Sequence, residues 1–393
     1  MQAEQVTWIS RIAAVLMLAA AGGVSAGNCP ADVANLPAGQ WCEVPNSNMS
    51  SVAFNWPPGV TFTENGVGVE GVMSLWSGGA YDSRRDRLVV WGGGHEGYAG
   101  NEIYAFDVNT LKWTRVTDPS IPVAYNSAYA PDGAPGSRHT YDSLEYIPTS
   151  DRFCSFVDGS DYPSGSTSGK GQLNAFNFDT NSWERKAVTP GGSSIADTIG
   201  VKSAFDPVAN LVYVLGGPHG PFASYNPASN SWKIHVSFIS WIEYSATAAI
   251  DPKRRKMVVM GAGDQWVFDL QNPGAGHTAL SSSGGATIIN ANGPGVDYDP
   301  VSDRIVAWSG GADVYVLNMD TLIWSRVSPS ASNTTVPTAA QSAGTFGRFR
   351  YVPSKNVFVA VNSINGNVYF YKLTDGALPP PPQAPAKPSV VIR

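Results

Sequence analysis

The stretch that decides the fold is Trp91-Gly92-Gly93-Gly94-His95-Glu96-Gly97-Tyr98-Ala99-Gly100-Asn101-Glu102-Ile103-Tyr104-Ala105-Phe106-Asp107, followed by Lys112-Trp113. It joins the end of an apolar strand to a glycine-rich polar loop, a second strand with alternating aromatics, a turn, and a strand that opens with tryptophan. The glycines allow backbone turns with positive φ. Variants of the same phrase recur along the chain, so the sequence predicts a structural repeat.

Six units carry this phrase, and they cover residues 77–117, 138–189, 198–238, 244–282, 294–327 and 347–373. Most begin with a strand that ends near Tyr-Asp or Asp-Pro, and most end with a strand that opens with Trp. Four short antiparallel strands at this period are typical of one blade of a β-propeller. We therefore predict an all-β fold built from such blades.

The sixth unit contains only three strands. Gly39-Gln40-Trp41-Cys42-Glu43-Val44, near the N-terminus, resembles the fourth strand of the other units. A propeller that completes one blade from both ends of its chain leaves no open sheet edge. We therefore predict a six-bladed ring closed by the strand of Trp41. A seventh blade remains open if residues 51–77 form more than a connection.

The spacing of glycines and aromatics in these units resembles that of kelch repeats. Gly93-Gly94, Tyr104 and Trp113 carry the resemblance in the first unit, and the third unit repeats it from Gly216-Gly217 onward. The resemblance covers residues 36–373 and implies a kelch-type propeller. It leaves the function to the loops, because folds of this kind host many activities.

The N-terminus has the pattern of an export signal. Arg11 precedes an apolar run at residues 12–21, and small residues follow at 24–26. These features predict a signal peptide at residues 1–26 that is removed on export. We expect a secreted protein, periplasmic or extracellular, with a retained membrane anchor as the alternative.

The rest of the chain divides into a propeller domain at residues 27–374 and a Pro-rich tail at 375–393. The composition of the tail favours an extended, semi-rigid spacer. Export permits disulfides, so we pair Cys29 with Cys42. Cys154 is left over in an apolar strand, where a small buried thiol is expected.

The overall charge is low and negative. Charged residues make up 14% of the chain, and the net charge is −6 at pH 7. Nonspecific nucleic-acid binding depends on Lys and Arg that neutralise phosphates, so this composition argues against a nucleic-acid partner. An anionic polysaccharide remains open as a partner, because a local basic patch would suffice. We expect a monomer without a membrane partner once the signal peptide is removed.

The five histidines fall into two groups when they are placed on the predicted blades. In a kelch-like propeller, the loops between second and third strands and the loops between blades open on one face. His95, His139 and His219 map to this face, whereas His235 and His277 map to outer strands. The alternative for the first three is that they only hold their loops in place by hydrogen bonds.

Other polar and aromatic residues fall on the same face, and several carry chemistry suited to substrate binding. The predicted substrate-binding residues are Glu96, Asn101, Lys170, Lys202, His219, Trp241, Glu243, Tyr244 and Arg348.

This set of residues fits β-elimination on a polysaccharide that contains uronic acids. The reaction needs a cation beside the carboxylate, a base for the neighbouring proton and an acid for the leaving oxygen, and imidazole titrates near neutrality. The candidates for these roles are, in order, Arg138 or Arg348, His139 or His95, and Tyr98 or Tyr244. The cluster is similar to that of secreted propeller lyases. We predict a polysaccharide lyase with His95, His139, Arg138 and Tyr98 as catalytic residues.

Two metal-dependent functions remain open. The first is a mononuclear Zn, Mn or Cu site held by His95, His139 and His219. The second is a copper-radical oxidase, because galactose-oxidase-like enzymes share the kelch propeller. Such an oxidase needs a cysteine cross-linked to a tyrosine, and Cys154 departs from this pattern because it lies inside a strand.

Two metal-free alternatives also remain. Glycoside hydrolysis would use a pair of carboxylates, for which Glu96 and Glu243 are candidates. A secreted propeller that only binds a glycan or a protein would need no catalytic group, and it would have no need for three imidazoles and an arginine at one channel mouth.

Overall fold

The computed structural model describes residues 27–156, 162–165, 171–190, 195 and 199–380. In this part of the chain, 24 strands form six four-stranded antiparallel sheets arranged as a ring. The six-bladed propeller predicted from the repeats is therefore confirmed. The predicted signal peptide, Lys170 and the tail beyond residue 380 lie outside the described residues.

The first strand, β1 (Gln40–Val44), belongs to the last blade. Blade 1 comprises β2 (Gly79–Asp82), β3 (Arg87–Val90), β4 (Tyr104–Asp107) and β5 (Lys112–Arg115). Blade 2 comprises β6 (Leu144–Ile147), β7 (Arg152–Ser155), β8 (Gln172–Asn177) and β9 (Ser182–Val188). Blade 3 comprises β10 (Lys202–Asp206), β11 (Leu211–Leu215), β12 (Phe222–Asn226) and β13 (Ser231–Val236). Blade 4 comprises β14 (Thr247–Asp251), β15 (Lys256–Gly261), β16 (Asp264–Asp269) and β17 (His277–Ala279). Blade 5 comprises β18 (Gly295–Asp299), β19 (Arg304–Trp308), β20 (Val314–Asn318) and β21 (Ile323–Val327). Blade 6 comprises β22 (Phe349–Val352), β23 (Val357–Ala360), β24 (Val368–Lys372) and β1.

Helices occur only as short turns in the described connections. The α-helical turns are α1 (Gly71–Ser74) and α2 (Ala286–Ile289). The 3-10 turns are Val33–Asn35, Met49–Val52, Gly68–Glu70, Pro273–Ala275 and Phe346–Arg348. No helix of the described part is long and apolar enough to cross a membrane. Residues 51–77 hold only such turns, so this stretch forms no seventh blade.

The hydrophobic core is divided among the spaces between neighbouring blades. The described residues form six buried clusters, and each contains side chains from two adjacent blades. The first strands β2, β6, β10, β14, β18 and β22 lie innermost and contact one another around the axis. Each blade therefore buries both of its faces, which explains the apolar strands of the repeat.

The ring closes where the N-terminal strand pairs with the last strand of the chain. β1 lies antiparallel to β24, and Trp41 is opposite Tyr371 in the register. The Trp41 ring is buried, with its centroid 4.8 Å from that of Tyr371 and 5.5 Å from that of Trp308. Its Nε1 donates a hydrogen bond to the carbonyl of Ala312 at 2.8 Å. The predicted closing strand is confirmed, and its Trp packs the closure against blade 5.

The cysteines behave as predicted. Cys29 and Cys42 form a disulfide that ties the N-terminal segment to the closing strand. Cys154 is a free, buried thiol in β7. Burial raises the pKa of this thiol above its usual range, because the thiolate would lose its hydration. The disulfide is compatible with an exported protein.

The two ends of the ring differ in their connections. We call the end with the loops between second and third strands, and between blades, the upper face. The opposite end, with the tight turns between first and second strands, is the lower face. On the lower face, Tyr298 donates its hydroxyl to Asp303, five residues further on, at 2.8 Å. Equivalent bonds join Tyr81 to Asp86, Tyr146 to Asp151, and Tyr351 to Asn356.

Candidate active site at the upper face

Two of the predicted histidines meet at the upper face. His95 lies in the loop between β3 and β4, and His139 lies in the connection that leads into β6. Their ring centroids are 4.8 Å apart, with the planes inclined at 70°. The glycine-rich loop of blade 1 and the entry to blade 2 therefore bring the two imidazoles into direct contact.

His139 is a buried, neutral imidazole with a fixed tautomer. It is 7% exposed, and its Nδ1 lies 3.0 Å from the carbonyl oxygen of Leu75. A carbonyl only accepts, so Nδ1 carries the proton and Nε2 keeps its lone pair. Burial, and then the nearby charge of His95, lower the pKa of His139 to about 4. The ring is consequently uncharged at neutral pH.

His95 is more accessible and less completely bonded. Its side chain is partly exposed, but Nδ1 is buried and has no hydrogen-bond partner among the described residues. Gly165, from the loop after β7, lies over the ring, since a Cβ added there would be 3.3 Å from Cε1 of His95. Buried polar atoms in native proteins are nearly always bonded to protein, water or ligand. Nδ1 of His95 is an exception to this rule within the described residues.

Gly94 shapes the surroundings of the histidine pair. Its φ of +79° lies in the left-handed region that favours glycine. A Cβ added at Gly94 would lie 2.7 Å from Cε1 and 2.8 Å from Nε2 of His139. Gly94 thus has two roles, because it forms the turn and leaves room for the imidazole.

Three aromatic residues form a wall beside the histidines, and the sequence analysis did not identify them as site residues. Trp76, Tyr141 and Phe346 precede the inner strands of blades 1, 2 and 6 and have φ of 44°, 45° and 49°. Such a backbone is rare for bulky residues and costs about 1–3 kcal/mol each, and it tends to cluster at functional sites. The Trp76 ring is 5.2 Å from that of His139, and the Tyr141 ring is 5.8 Å from that of Phe346.

A signal for these aromatics is present in the sequence. Trp76 is followed by Ser77-Gly78, and Phe346 is followed by Gly347. An aromatic residue directly before small residues at the start of a blade thus marks the upper mouth of the channel. This signal precedes the strands, so it is not part of the repeated strand pattern.

Tyr98 is placed in the core and does not face the channel. Its side chain is fully buried, and its hydroxyl donates to the carboxylate of Glu102. The same hydroxyl accepts a bond from Nε1 of Trp56 at 3.3 Å. Burial raises the pKa of Tyr98 above its usual range. These contacts give Tyr98 a packing role under the loop of His95. The hydroxyl proton of Tyr98 is used in the hydrogen bond to Glu102.

Arg138 is also turned inward. Its Nε donates to the carbonyl of Gly136 at 2.9 Å, and its Nη2 donates to that of Ala128 at 3.0 Å. The guanidinium carbon lies 5.8 Å from the ring centroid of Trp91, within cation–π range. Arg138 therefore holds the connection before His139 in shape.

Arg348 has a comparable position on the opposite side of the ring closure. It donates to the carbonyls of Ser77 at 2.9 Å, Val361 at 2.7 Å and Gly344 at 2.5 Å. Burial lowers its pKa to about 9, so the guanidinium stays charged at neutral pH. Because Ser77 belongs to the start of blade 1, Arg348 links the first blade to the last.

Asn101 and Lys202 are buried as well. Asn101 donates to the hydroxyl of Ser120 at 3.0 Å and to the carbonyl of Pro135 at 2.9 Å, which fixes two loops to each other. Lys202 donates to the carbonyl of Gly200 at 2.7 Å, and burial lowers its pKa to about 7. Both side chains support the upper face from below.

The remaining predicted residues form an exposed aromatic group on the upper face. His219 lies 5.5 Å from Phe238 and 4.9 Å from Trp241, measured between ring centroids. Phe238 is 67% exposed, Trp241 46% and Tyr244 38%. Nε1 of Trp241 donates to the carboxylate of Glu243 at 2.8 Å. Aromatic rings exposed in this way can stack on sugar rings.

Tyr244 connects this aromatic group to the histidine pair. Its ring is 6.3 Å from that of Tyr141, which in turn lies 6.2 Å from the ring of His139. Glu96 is exposed beside His95, with a φ of 62°. Ring contacts thus run from Tyr244 through Tyr141 to His139 and His95.

The structure does not bring the three predicted histidines together. His219 contacts its own aromatic neighbours, and the described residues contain no group of three or more His, Cys, Asp or Glu side chains placed to hold a metal ion. Cys154 lies in the core cluster between blades 2 and 3, together with Phe156. Neither the three-imidazole site nor the cysteine position of a copper-radical oxidase therefore has a counterpart at the upper mouth in this part of the chain.

No protein-family model matches this chain, and no curated protein matches it either. The kelch resemblance therefore stays a prediction drawn from the repeat phrases.

Proposed function

We propose that this protein is a secreted carbohydrate-active enzyme that cleaves a uronic-acid polysaccharide by β-elimination at the upper mouth. One observation carries the proposal: at the upper mouth, the partly exposed ring of His95 is in contact with the buried, neutral ring of His139. The repeat phrases support the additional proposal that the propeller is of the kelch type.

The histidine pair has the chemistry of a general base. His95 is the more accessible of the two, so we assign it the removal of the proton next to the substrate carboxylate. His139 is held by Leu75 and positions His95 from below. The electron pair left on carbon forms the new double bond, and the glycosidic oxygen leaves with a proton from an acid. Tyr244 is exposed, and its ring contacts that of Tyr141, which lies beside His139, so we assign it that role.

We revise the prediction of which residue neutralises the carboxylate of the substrate. Arg138 and Arg348 donate from their guanidinium groups to backbone carbonyls, so we assign both a supporting role. We assign the role of the cation instead to Lys170, a predicted substrate-binding residue that lies outside the described residues. Its loop also contains Gly165, which lies over His95.

A second candidate function is glycan binding without catalysis. The observation that favours it is the exposure of Phe238, Trp241 and Tyr244 on one surface. Rings presented in this way stack on sugars without any need for an acid or a base. The engagement of both upper-face arginines with carbonyls also fits a surface that only binds.

The experiment that separates these functions uses the mature protein and a panel of uronic-acid polysaccharides. Unsaturated product ends are followed by ultraviolet absorbance, and binding is followed in parallel by calorimetry. We expect His95→Ala to lower the rate by at least a hundredfold, the range of a lost general base, while binding is kept. His235→Ala, in an outer strand, is the matched control and should retain activity. Binding without product across the panel would replace the lyase by the binding function.

A further inference from the structure

The lower face opens into a large cavity on the axis of the propeller. Its volume is about 1140 Å³. Its wall contains one aromatic or aliphatic side chain from the first strand of every blade, namely Tyr81, Tyr146, Phe205, Ile250, Tyr298 and Tyr351. We call this set the lower ring. Five of the six turns at the rim add a proline: Pro148, Pro207, Pro252, Pro300 and Pro353.

The aromatic rings of the lower ring are fixed in position. The hydroxyls of its four tyrosines are bonded to turn residues, as described above for Tyr298 and Asp303. The polar end of each tyrosine is therefore satisfied by the protein, and the ring remains to line the cavity. A rigid, aromatic concave surface of this kind is the usual partner of polyproline segments.

The chain itself leads a proline-rich segment to this surface. After β24, the side chain of Asn356 donates to the carbonyl of Thr374 at 2.9 Å and holds the chain on the lower face. Gly376 then packs against Val301, since a Cβ added there would lie 2.8 Å from Cγ1 of that valine. Leu378, Pro379 and Pro380 follow and line the cavity. The described tail therefore runs from the rim of blades 5 and 6 into the mouth.

We infer that the Pro-rich segment 378–385 docks across the lower mouth and that the lower ring is its intramolecular polyproline site. Residues 378–385 contain five prolines, a composition that favours the polyproline II conformation and lowers the entropy lost on binding. The first three residues of this segment are already in contact with the cavity.

The dimensions agree with this docking. Eight residues in the polyproline II conformation extend over about 25 Å at 3.1 Å per residue. A sphere of 1140 Å³ is only about 13 Å across, so the segment is long enough to cross the mouth. Attachment to β24 gives the tail an effective concentration on the order of millimolar. A polyproline contact with a dissociation constant well below millimolar is then occupied most of the time.

This inference is independent of the lyase proposal.

The test uses a chain that stops at Ala377 and a fluorescent peptide with the sequence of residues 378–393. All 24 described strands end at or before Lys372, so the shortened chain keeps every blade, and an unchanged melting temperature verifies this. We expect saturable binding of the peptide to the shortened chain and at least tenfold weaker binding to the full mature chain, whose own tail competes.

Two controls locate the binding. A peptide that carries Pro379→Ser, Pro380→Ser, Pro381→Ser and Pro382→Ser should lose at least tenfold in affinity, and this control does not depend on the folding of a protein variant. Phe205→Ser in the shortened chain should weaken binding, whereas Trp241→Ala on the upper face should not. The inference is overturned if the folded shortened chain binds no peptide, if the full chain binds it equally well, or if full-length dimers dissociate on truncation.

Discussion

His139 shows how burial and one carbonyl set the state of a functional group. A free imidazole would be partly charged near neutrality, but the low exposure of His139 removes the hydration that its cation needs. The carbonyl of Leu75 fixes the tautomer without supplying a countercharge. His95 adds a second imidazole within contact distance, and its charge further disfavours a proton on His139.

The depressed pKa of His139 predicts an acid-labile contribution to stability. The unfolded chain takes up a proton near pH 6.5, whereas the folded state resists it down to about pH 4. This contribution is therefore complete above pH 6.5 and is lost as the pH falls toward 4. Its size is at most about 3 kcal/mol. His139→Gln should flatten the fall in melting temperature between pH 7 and 4.5, and the exposed His219→Gln should not.

Gly94 gives a second residue-scale prediction with a matched control. Gly94→Ala should lose about 1 kcal/mol to backbone strain and a further 1–3 kcal/mol to the clash with the His139 ring. Gly311 has a similar φ of 72°, but a Cβ added there meets nothing within 4 Å. Gly311→Ala should therefore lose only the unfolding free energy that comes from backbone strain. Equal losses of unfolding free energy for Gly94→Ala and Gly311→Ala in denaturant titrations would mean that Gly94 is needed only for the backbone turn and not to make room for His139.

At the scale of the elements, the strands were readable from sequence because their signals are local. Apolar runs, turn residues and the Trp that opens each fourth strand repeat within each unit, and the strand of Trp41 was identified by the same pattern. The directions of Tyr98, Arg138 and Arg348 were not readable. Arg348, for instance, bonds the carbonyl of Ser77, which lies 271 positions away in the chain. Sequence places these residues in the right loops, but distant carbonyls turn them inward.

The closing strand carries a prediction of its own. Trp41 fills the space between blades 5 and 6, so Trp41→Ala should cost about 3–5 kcal/mol of unfolding free energy, as for other large buried aromatics. Trp241→Ala is the matched control, because nearly half of that side chain is exposed. Chemical denaturation of both variants gives the comparison. A loss at Trp41 no greater than that at Trp241 would contradict the role of Trp41 in ring closure.

On the scale of the whole molecule, the ring brings ionisable groups from separate blades onto one axis. Glu145 and Asp142 come from blade 2, Asp297 from blade 5 and Arg350 from blade 6. Nη2 of Arg350 is 3.7 Å from Asp142 and 3.8 Å from Glu145, too far for a direct hydrogen bond. Burial therefore outweighs the attraction and raises the pKa of Asp142 to about 7 and that of Glu145 to about 8. These groups come together only when the ring closes, so no local sequence pattern predicts the cluster.

Glu145 thereby contributes to stability with the opposite pH dependence to His139. Its folded pKa is raised above the unfolded value, so its contribution is complete below about pH 4.5 and is lost as the pH rises through 8. Glu145→Gln keeps the shape of the protonated acid and cannot ionise. Between pH 5 and 9, the variant should gain up to about 4 kcal/mol of unfolding free energy relative to the parent, because each pKa unit is worth about 1.4 kcal/mol. The exposed Glu96→Gln should run parallel to the parent over the same range. If Glu145→Gln also runs parallel, the Arg350 guanidinium, and not burial, controls the charge on the axis.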